Sequence, residues 1–205
     1  MTNARQDPTR KLTSHKKRKA SSQAWLVRQL NDPYVKRAKE QGWRSRAAFK
    51  LIELDERFAL IRGAKRVVDL GIAPGGWAQV MRKFAPSAAV VGIDLLETEP
   101  IDGVTILQMD FMADAAPAAL LAALGGAPDL VLSDMAANTV GHKQTDHLRT
   151  MGLVEAAAWF AVEVLAEGGE LPSTLRDGSR TAIRISSFGW TAKPVRSGPT
   201  LPPVP

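Results

Sequence analysis

The sequence predicts an α/β protein with a Rossmann-like architecture: a central, mostly parallel sheet with helices on both faces. Three observations carry this. From Arg66 onward, short apolar runs alternate with segments of helical periodicity, the pattern of βαβ units. The runs end in or near an acid, at Asp69, Asp94, Asp110 and Asp134. The first run also leads through a glycine-rich turn into a helix, in VVDLGIAPGGWAQ (67–79), as nucleotide-binding α/β sheets do.

Each element has its own sequence signal. Residues 1–22 are polar, charged and aperiodic, and are expected to be a basic disordered arm. A serine cap then opens a helical stretch through Trp25, Leu26 and Leu30, which breaks at Asp32-Pro33 and resumes as a second, basic helix running to Gly42. SRAAFKLIELDERFALI places Ala47, Leu51, Leu54 and Phe58 at helical spacing, an amphipathic helix. RVVDLG reads as a buried strand, GGWAQVMRKFA as a helix, AVVGIDLL and VTILQMDF as strands, and AAPAALLAALGG as a helix. DLVLSDMA is a further strand, and LRTMGLVEAAAWFAVEVLAEGG a long helix.

The pattern stops near Gly169. Residues 171–205 hold 6 of the 13 prolines and 9 Ser and Thr, and only TAIRISSFGW has strand character. Three segments are therefore expected: the arm at 1–22, a Rossmann-like domain at 23–169, and an atypical Pro/Ser/Thr/Arg-rich tail at 170–205. On this reading the last strands of the sheet are missing or degraded, and the tail has the composition of a shifted reading frame.

Charge and composition narrow the function. Residues 1–50 carry 14 Lys and Arg against 3 Asp and Glu, and the rest 13 against 18, so the basic charge is local. A positive region beside a mildly acidic body suits a polyanionic partner, although HKKRKA (15–20) taken alone could be only a solvated tail. The absence of cysteine excludes disulfides, thiolate metal sites and a cysteine nucleophile. His15, His142 and His147 lack ligand spacing, so no metal is expected. No apolar run approaches the ~20 residues that span a bilayer, and a soluble, cytoplasmic, monomeric protein is expected.

The acids and the turn specify a ligand. A single Asp after a strand is most often a turn former, but four in successive units of one sheet would converge on one crevice. Asp94 lies about 20 residues past the glycine turn, where an acid accepts hydrogen bonds from ribose hydroxyls. The turn lacks the G-x-G-x-x-G spacing of a dinucleotide site and the lysine of a triphosphate site. A nicotinamide dehydrogenase is thereby disfavoured. An adenosine ligand of low negative charge fits, with Asp134 beside a sulfonium or ammonium group, and S-adenosylmethionine meets these conditions.

DLGIAPGGWAQ, GIDLL, QMDF and SDMAAN, together with the upstream SRAAFKL and the D-x-x-R of Asp146 to Arg149, resemble the FtsJ-like family of RNA ribose 2′-O-methyltransferases. The likeness is greatest to its bacterial members that methylate a uridine of the large-subunit (23S) ribosomal RNA, and it covers about residues 21–169. It implies a class I S-adenosylmethionine-dependent methyltransferase fold, with ribosomal RNA as partner. It assigns Gly75 and Trp77 to the cofactor loop, Asp94 to the ribose hydroxyls, Asp110 to the adenine amino group and Asp134 to the methionyl region. For Trp77 a purely core role is an equal alternative, with its backbone N–H serving the ligand. Lys50 and Asp134 match half of the family's Lys-Asp-Lys-Glu catalytic set. The second lysine is expected on the strand after a G-G turn like Gly168-Gly169, but the residues that follow are Glu170, Leu171, Pro172 and Ser173. The final glutamate is missing too, since Ser186-Ser187 leads to Phe188. The alternative expectation is thus a remnant that binds RNA or cofactor without methyl transfer.

Overall fold

The computed structural model describes residues 32–135, 141–165, 170–174, 180–186 and 189–195. The basic arm and the stretch through Trp25, Leu26 and Leu30 lie outside them. Five helices and seven strands follow along these residues. They are α1 (Pro33–Glu40), α2 (Ala47–Phe58), β1 (Arg66–Leu70), α3 (Gly76–Phe84), β2 (Ala89–Asp94), β3 (Val104–Gln108), α4 (Ala116–Leu124), β4 (Leu130–Ser133), α5 (Lys143–Val164), β5 (Glu170–Thr174), β6 (Arg180–Ser186) and β7 (Gly189–Val195). The sheet order is β3-β2-β1-β4-β5-β6-β7. Strands β1 to β5 run parallel, and β6 and β7 add an antiparallel hairpin. The order reverses between β1 and β4, so the ends of those two strands flank the switch point where such sheets bind ligands.

Strand alternation fills both faces. Val67, Val90, Leu130 and Leu132 pack with Leu51 and Leu54 of α2 and with Trp77 and Met81 of α3. Val68, Leu70, Val91, Ile93 and Val131 face the other way, onto Leu120 of α4 and Phe160 of α5. Leu51 is fully buried at the joint between α2 and the sheet, so Leu51→Ala should cost about 2–5 kcal/mol.

Local signals set the helix ends. Asp32 accepts the Tyr34 N–H at 2.8 Å, and Pro33 opens α1 where a missing N–H costs nothing. Helix α5 begins five residues before the expected Leu148, because Asp146 folds back to accept the Gly141 N–H and is buried there.

Of the expectation that the last strands are missing or degraded, the backbone corrects the first half, since three strands follow β4. Residues 170–174 pair in parallel with β4, and 180–186 and 189–195 extend the sheet beyond them. The β4–β5 ladder is sparse, with Leu130 opposite Glu170 and Ser133 opposite Ser173. Pro172, which has no N–H to donate, stands between those two pairs. That break in apolar and donor pattern is why the strand was illegible.

Candidate active site

The acidic side of the site grows from strand ends. After β1 the chain turns back, and the Gly71 and Ile72 amides both donate to the Ile93 carbonyl at the end of β2, at 2.9 and 3.2 Å. The Ala73 N–H donates to Asp94 Oδ2 and the Leu96 N–H to Asp94 Oδ1, each at 2.9 Å. Asp94 is therefore fixed by two backbone amides, and each oxygen keeps a lone pair for a ligand hydroxyl. Asp110 Oδ1 is held in the same way by the Met112 N–H at 2.9 Å. Asp94, Asp110 and Asp134 line one cavity of about 260 Å³, whose remaining wall includes Ile93, Leu96, Phe111 and Met135. Three carboxylates among apolar walls are a lining that suits an adenosine carrying a cation.

Asp69, the fourth acid, does not line that cavity. It is buried one residue before the end of β1, and its Oδ2 has no hydrogen-bond partner among the described residues. Burial, reinforced by the charges of Asp134 and Asp94, pushes its carboxyl up to about 8. Asp69 is thus a neutral acid below the site rather than a further ligand carboxylate.

Lys50 approaches from the other side. Its ammonium contacts both oxygens of Asp134, at 2.9 and 3.3 Å. A second cavity, of about 540 Å³, lies against this pair and is lined by Lys39, Arg44, Arg46 and Lys50, with Trp43 and Trp77. Gly71, Ala73 and Asp134 belong to both cavities. Four cations surround one and three carboxylates the other, and the Lys50–Asp134 pair stands where they meet. A reacting group held in the basic cavity is thereby brought to the mouth of the acidic one.

Two side chains hold this junction together, and sequence reasoning did not single them out. Gln79 Oε1 accepts the Arg44 N–H at 2.7 Å, while its amide nitrogen donates to the Gly42 carbonyl at 3.2 Å. The Arg44 guanidinium donates to the carbonyls of Pro74, Glu99 and Pro100. It thus joins the approach to α2, the glycine turn and the loop after Asp94. An arginine among many in a basic segment carries no mark of that role.

The remaining expected residues fall as follows. Gly75 is the N-cap of α3 with φ 105°, and a Cβ there would come within 2.6 Å of Ile101 Cδ1. A glycine is required for that turn, although Gly75 does not line the acidic cavity. The Trp77 indole lies in the core, and its Nε1–H donates to the Ala47 carbonyl at 2.7 Å, pinning α3 to α2. Its side chain borders the basic cavity rather than the acidic one. No residue of β5 (Glu170–Thr174) is a lysine, although that strand's Ser173 stands opposite Ser133, beside Asp134.

Residues 43–187 match the sequence pattern of the FtsJ-like methyltransferases. The chain belongs to the FtsJ-like methyltransferase family. Among FtsJ-like relatives, the ribosomal RNA large subunit methyltransferase E of Erythrobacter litoralis is 73% identical over 169 residues, covering 82% of this chain and 77% of that one. The protein of the same name from Novosphingobium aromaticivorans is likewise 73% identical over 169 residues, covering 82% of this chain and 76% of its own. A crystal structure of a protein named as a ribosomal RNA methyltransferase from Plasmodium falciparum superposes with a TM-score of 0.59 at 31% identity, covering 64% of this chain and 77% of that chain. The chain is an enzyme of this FtsJ-like methyltransferase class, with the mostly parallel Rossmann-like sheet expected of it.

Proposed function

We propose that this enzyme uses S-adenosylmethionine to methylate the ribose 2′-hydroxyl of a uridine in 23S ribosomal RNA of the large subunit. The observation that carries this reading is the Lys50–Asp134 pair at the junction of an acidic and a basic cavity. The names of the relatives support the substrate.

S-adenosylmethionine supplies a methyl group that is already activated by its sulfonium. The protein must therefore align the hydroxyl and manage its proton. Asp94 is placed to accept from the cofactor ribose, and Asp110 from the adenine amino group. Asp134 offers its carboxylate to the cationic end while orienting Lys50. As a neutral amine, after its own proton has left to solvent, Lys50 can take the hydroxyl's proton; as an ammonium it can stabilise the developing alkoxide. Lys39, Arg44 and Arg46 favour phosphates in the basic cavity. A 2′-hydroxyl as acceptor selects RNA over DNA. No described helix is long and apolar enough to cross a membrane. A ribosomal RNA substrate supports a cytoplasmic location.

A single-turnover assay with methyl-labelled S-adenosylmethionine and unmodified large subunits tests the reading. Label should appear in 23S RNA at one uridine and protect the following linkage from alkali. Label on a base, or no transfer despite saturating cofactor, would overturn it.

One observation favours a second reading, a remnant that binds RNA or cofactor without transfer: β5 carries no lysine. The reading-frame account of residues 170–205 belongs with it. The encoding DNA, read in its other two frames, should restore a lysine after Gly168-Gly169 and a later Ser-Ser-Glu. If neither frame does so, the tail is a genuine part of the protein.

A further inference from the structure

A third cavity, of about 550 Å³, adjoins the basic one and shares Trp43 and Arg44 with it. It lies between the α1–α2 connection, α3 and the loop after β2, and Arg82 and Lys83 bring two further cations to its walls. The Lys83 ammonium rests 5.0 Å from the centre of the Trp43 ring and 5.9 Å from that of Phe84. Neither Arg82 nor Lys83 has a carboxylate within ion-pair distance among the described residues. Arg82 is anchored by the Ala88 carbonyl at 3.0 Å and lies against Gly103, where a Cβ would strike its guanidinium. Lys83 is exposed and held over aromatic faces, which keep its charge available without neutralising it. Gln41, Gln79 and Asp102 are the other polar side chains of the lining, and Asp102 is its one carboxylate.

We infer that this cavity is a second RNA subsite, in which the strand flanking the target nucleotide passes over Trp43 and Arg44 and sets a phosphate against Lys83. The inference rests on the reading of the protein as an RNA methyltransferase. Continuity and charge select the occupant: a strand leaving the first basic cavity across their shared wall meets Arg82 and Lys83 next. Each cavity falls in the size range that takes one drug-sized unit, so a nucleotide in each is a fit of scale as well as of charge. The acidic cavity, with three carboxylates and no cation among the described residues of its wall, gives the strand no competing path.

The test is binding of the full chain to a fluorescently labelled single-stranded RNA 12-mer with a central uridine, and to large subunits, over a salt series. Lys83→Glu should weaken both about three- to tenfold and lower the slope of log K against log salt by roughly 0.7 on the 12-mer, the value for one lost phosphate contact. Lys83→Arg should restore the slope. S-adenosylmethionine titrations should be the same for all three proteins, which separates a lost contact from a damaged fold. An affinity and slope unchanged in Lys83→Glu would overturn the inference, as would a wild-type chain that binds neither RNA. The two readings fail separately. Methyl transfer with a KM for RNA indifferent to Lys83 sinks this one alone, whereas Lys83-dependent binding without transfer supports it and sinks the methyltransferase reading.

Discussion

The acidic and basic cavities share Asp134 but are built by different means. The carboxylates of the first follow strand ends, where register fixes depth and backbone amides fix rotation, as the Ala73 and Leu96 N–H groups do for Asp94. The cations of the second sit on α1, on α2 and on the segment between them. Their placement depends on how that pair docks, through the Trp77–Ala47 and Arg44–Gln79 contacts. One half of the site is thus set by sheet geometry and the other by tertiary packing, and they should fail in different ways.

The sharpest break is at the junction. Lys50→Ala should lower methyl transfer by about 10²-fold or more, the scale of a lost proton-transfer group, while cofactor affinity stays within about threefold in calorimetry. A parallel loss of cofactor binding would mean that the halves are not separable. On the acidic side, Asp94→Ala removes acceptors for two hydroxyls and should weaken the cofactor about 10- to 100-fold. The salt slope for RNA should be unchanged, and a change there would join the cavities electrostatically.

Asp69 offers a gentler probe of the acidic half. Its proton is held in the folded state up to about 8, against an ordinary carboxyl value of 3.8. The contribution of this group to stability is full below that lower value and is lost progressively as pH rises to about 8, because the unfolded chain alone gains the ionised form. Asp69→Asn should therefore match the wild-type melting temperature near pH 4, exceed it increasingly towards pH 8, and hold a constant gap above. A gap independent of pH would show that Asp69 is charged when folded. The smallest effect is expected at Trp77, where Phe keeps most of the buried ring but loses the bond to Ala47. A cost of about 1–2 kcal/mol in denaturant unfolding, with cofactor affinity unchanged, would mark that side chain as packing. A selective loss of cofactor binding would return it to the ligand loop.

This division explains what the sequence made legible. Strand ends announce themselves, since an apolar run followed by an acid puts the side chain at a known edge of the sheet, and Asp94, Asp110 and Asp134, which line one cavity, were singled out that way. Lys50 was reached only through a family resemblance, because nothing in FKLIEL marks one lysine of an amphipathic helix as facing Asp134, 84 residues away in sequence. Asp69 looked like the other acids, but lying one residue short of its strand end put it under the site instead of in it. Arg44 and Gln79 were hidden because their partners are mostly backbone carbonyls, which carry no residue-type signal. In the tail the composition left strand character only to TAIRISSFGW, whereas β5 to β7 all pair through main-chain groups.

That last pairing separates two kinds of inheritance. Hydrogen bonds between strands do not consult side chains, so β5 can cover the edge of β4 and shield it from other chains whatever residues it carries. Chemistry beside Asp134 has no such tolerance. A chain that carries no lysine on β5, as here, can therefore keep its sheet intact, so a well-formed fold is no witness to turnover.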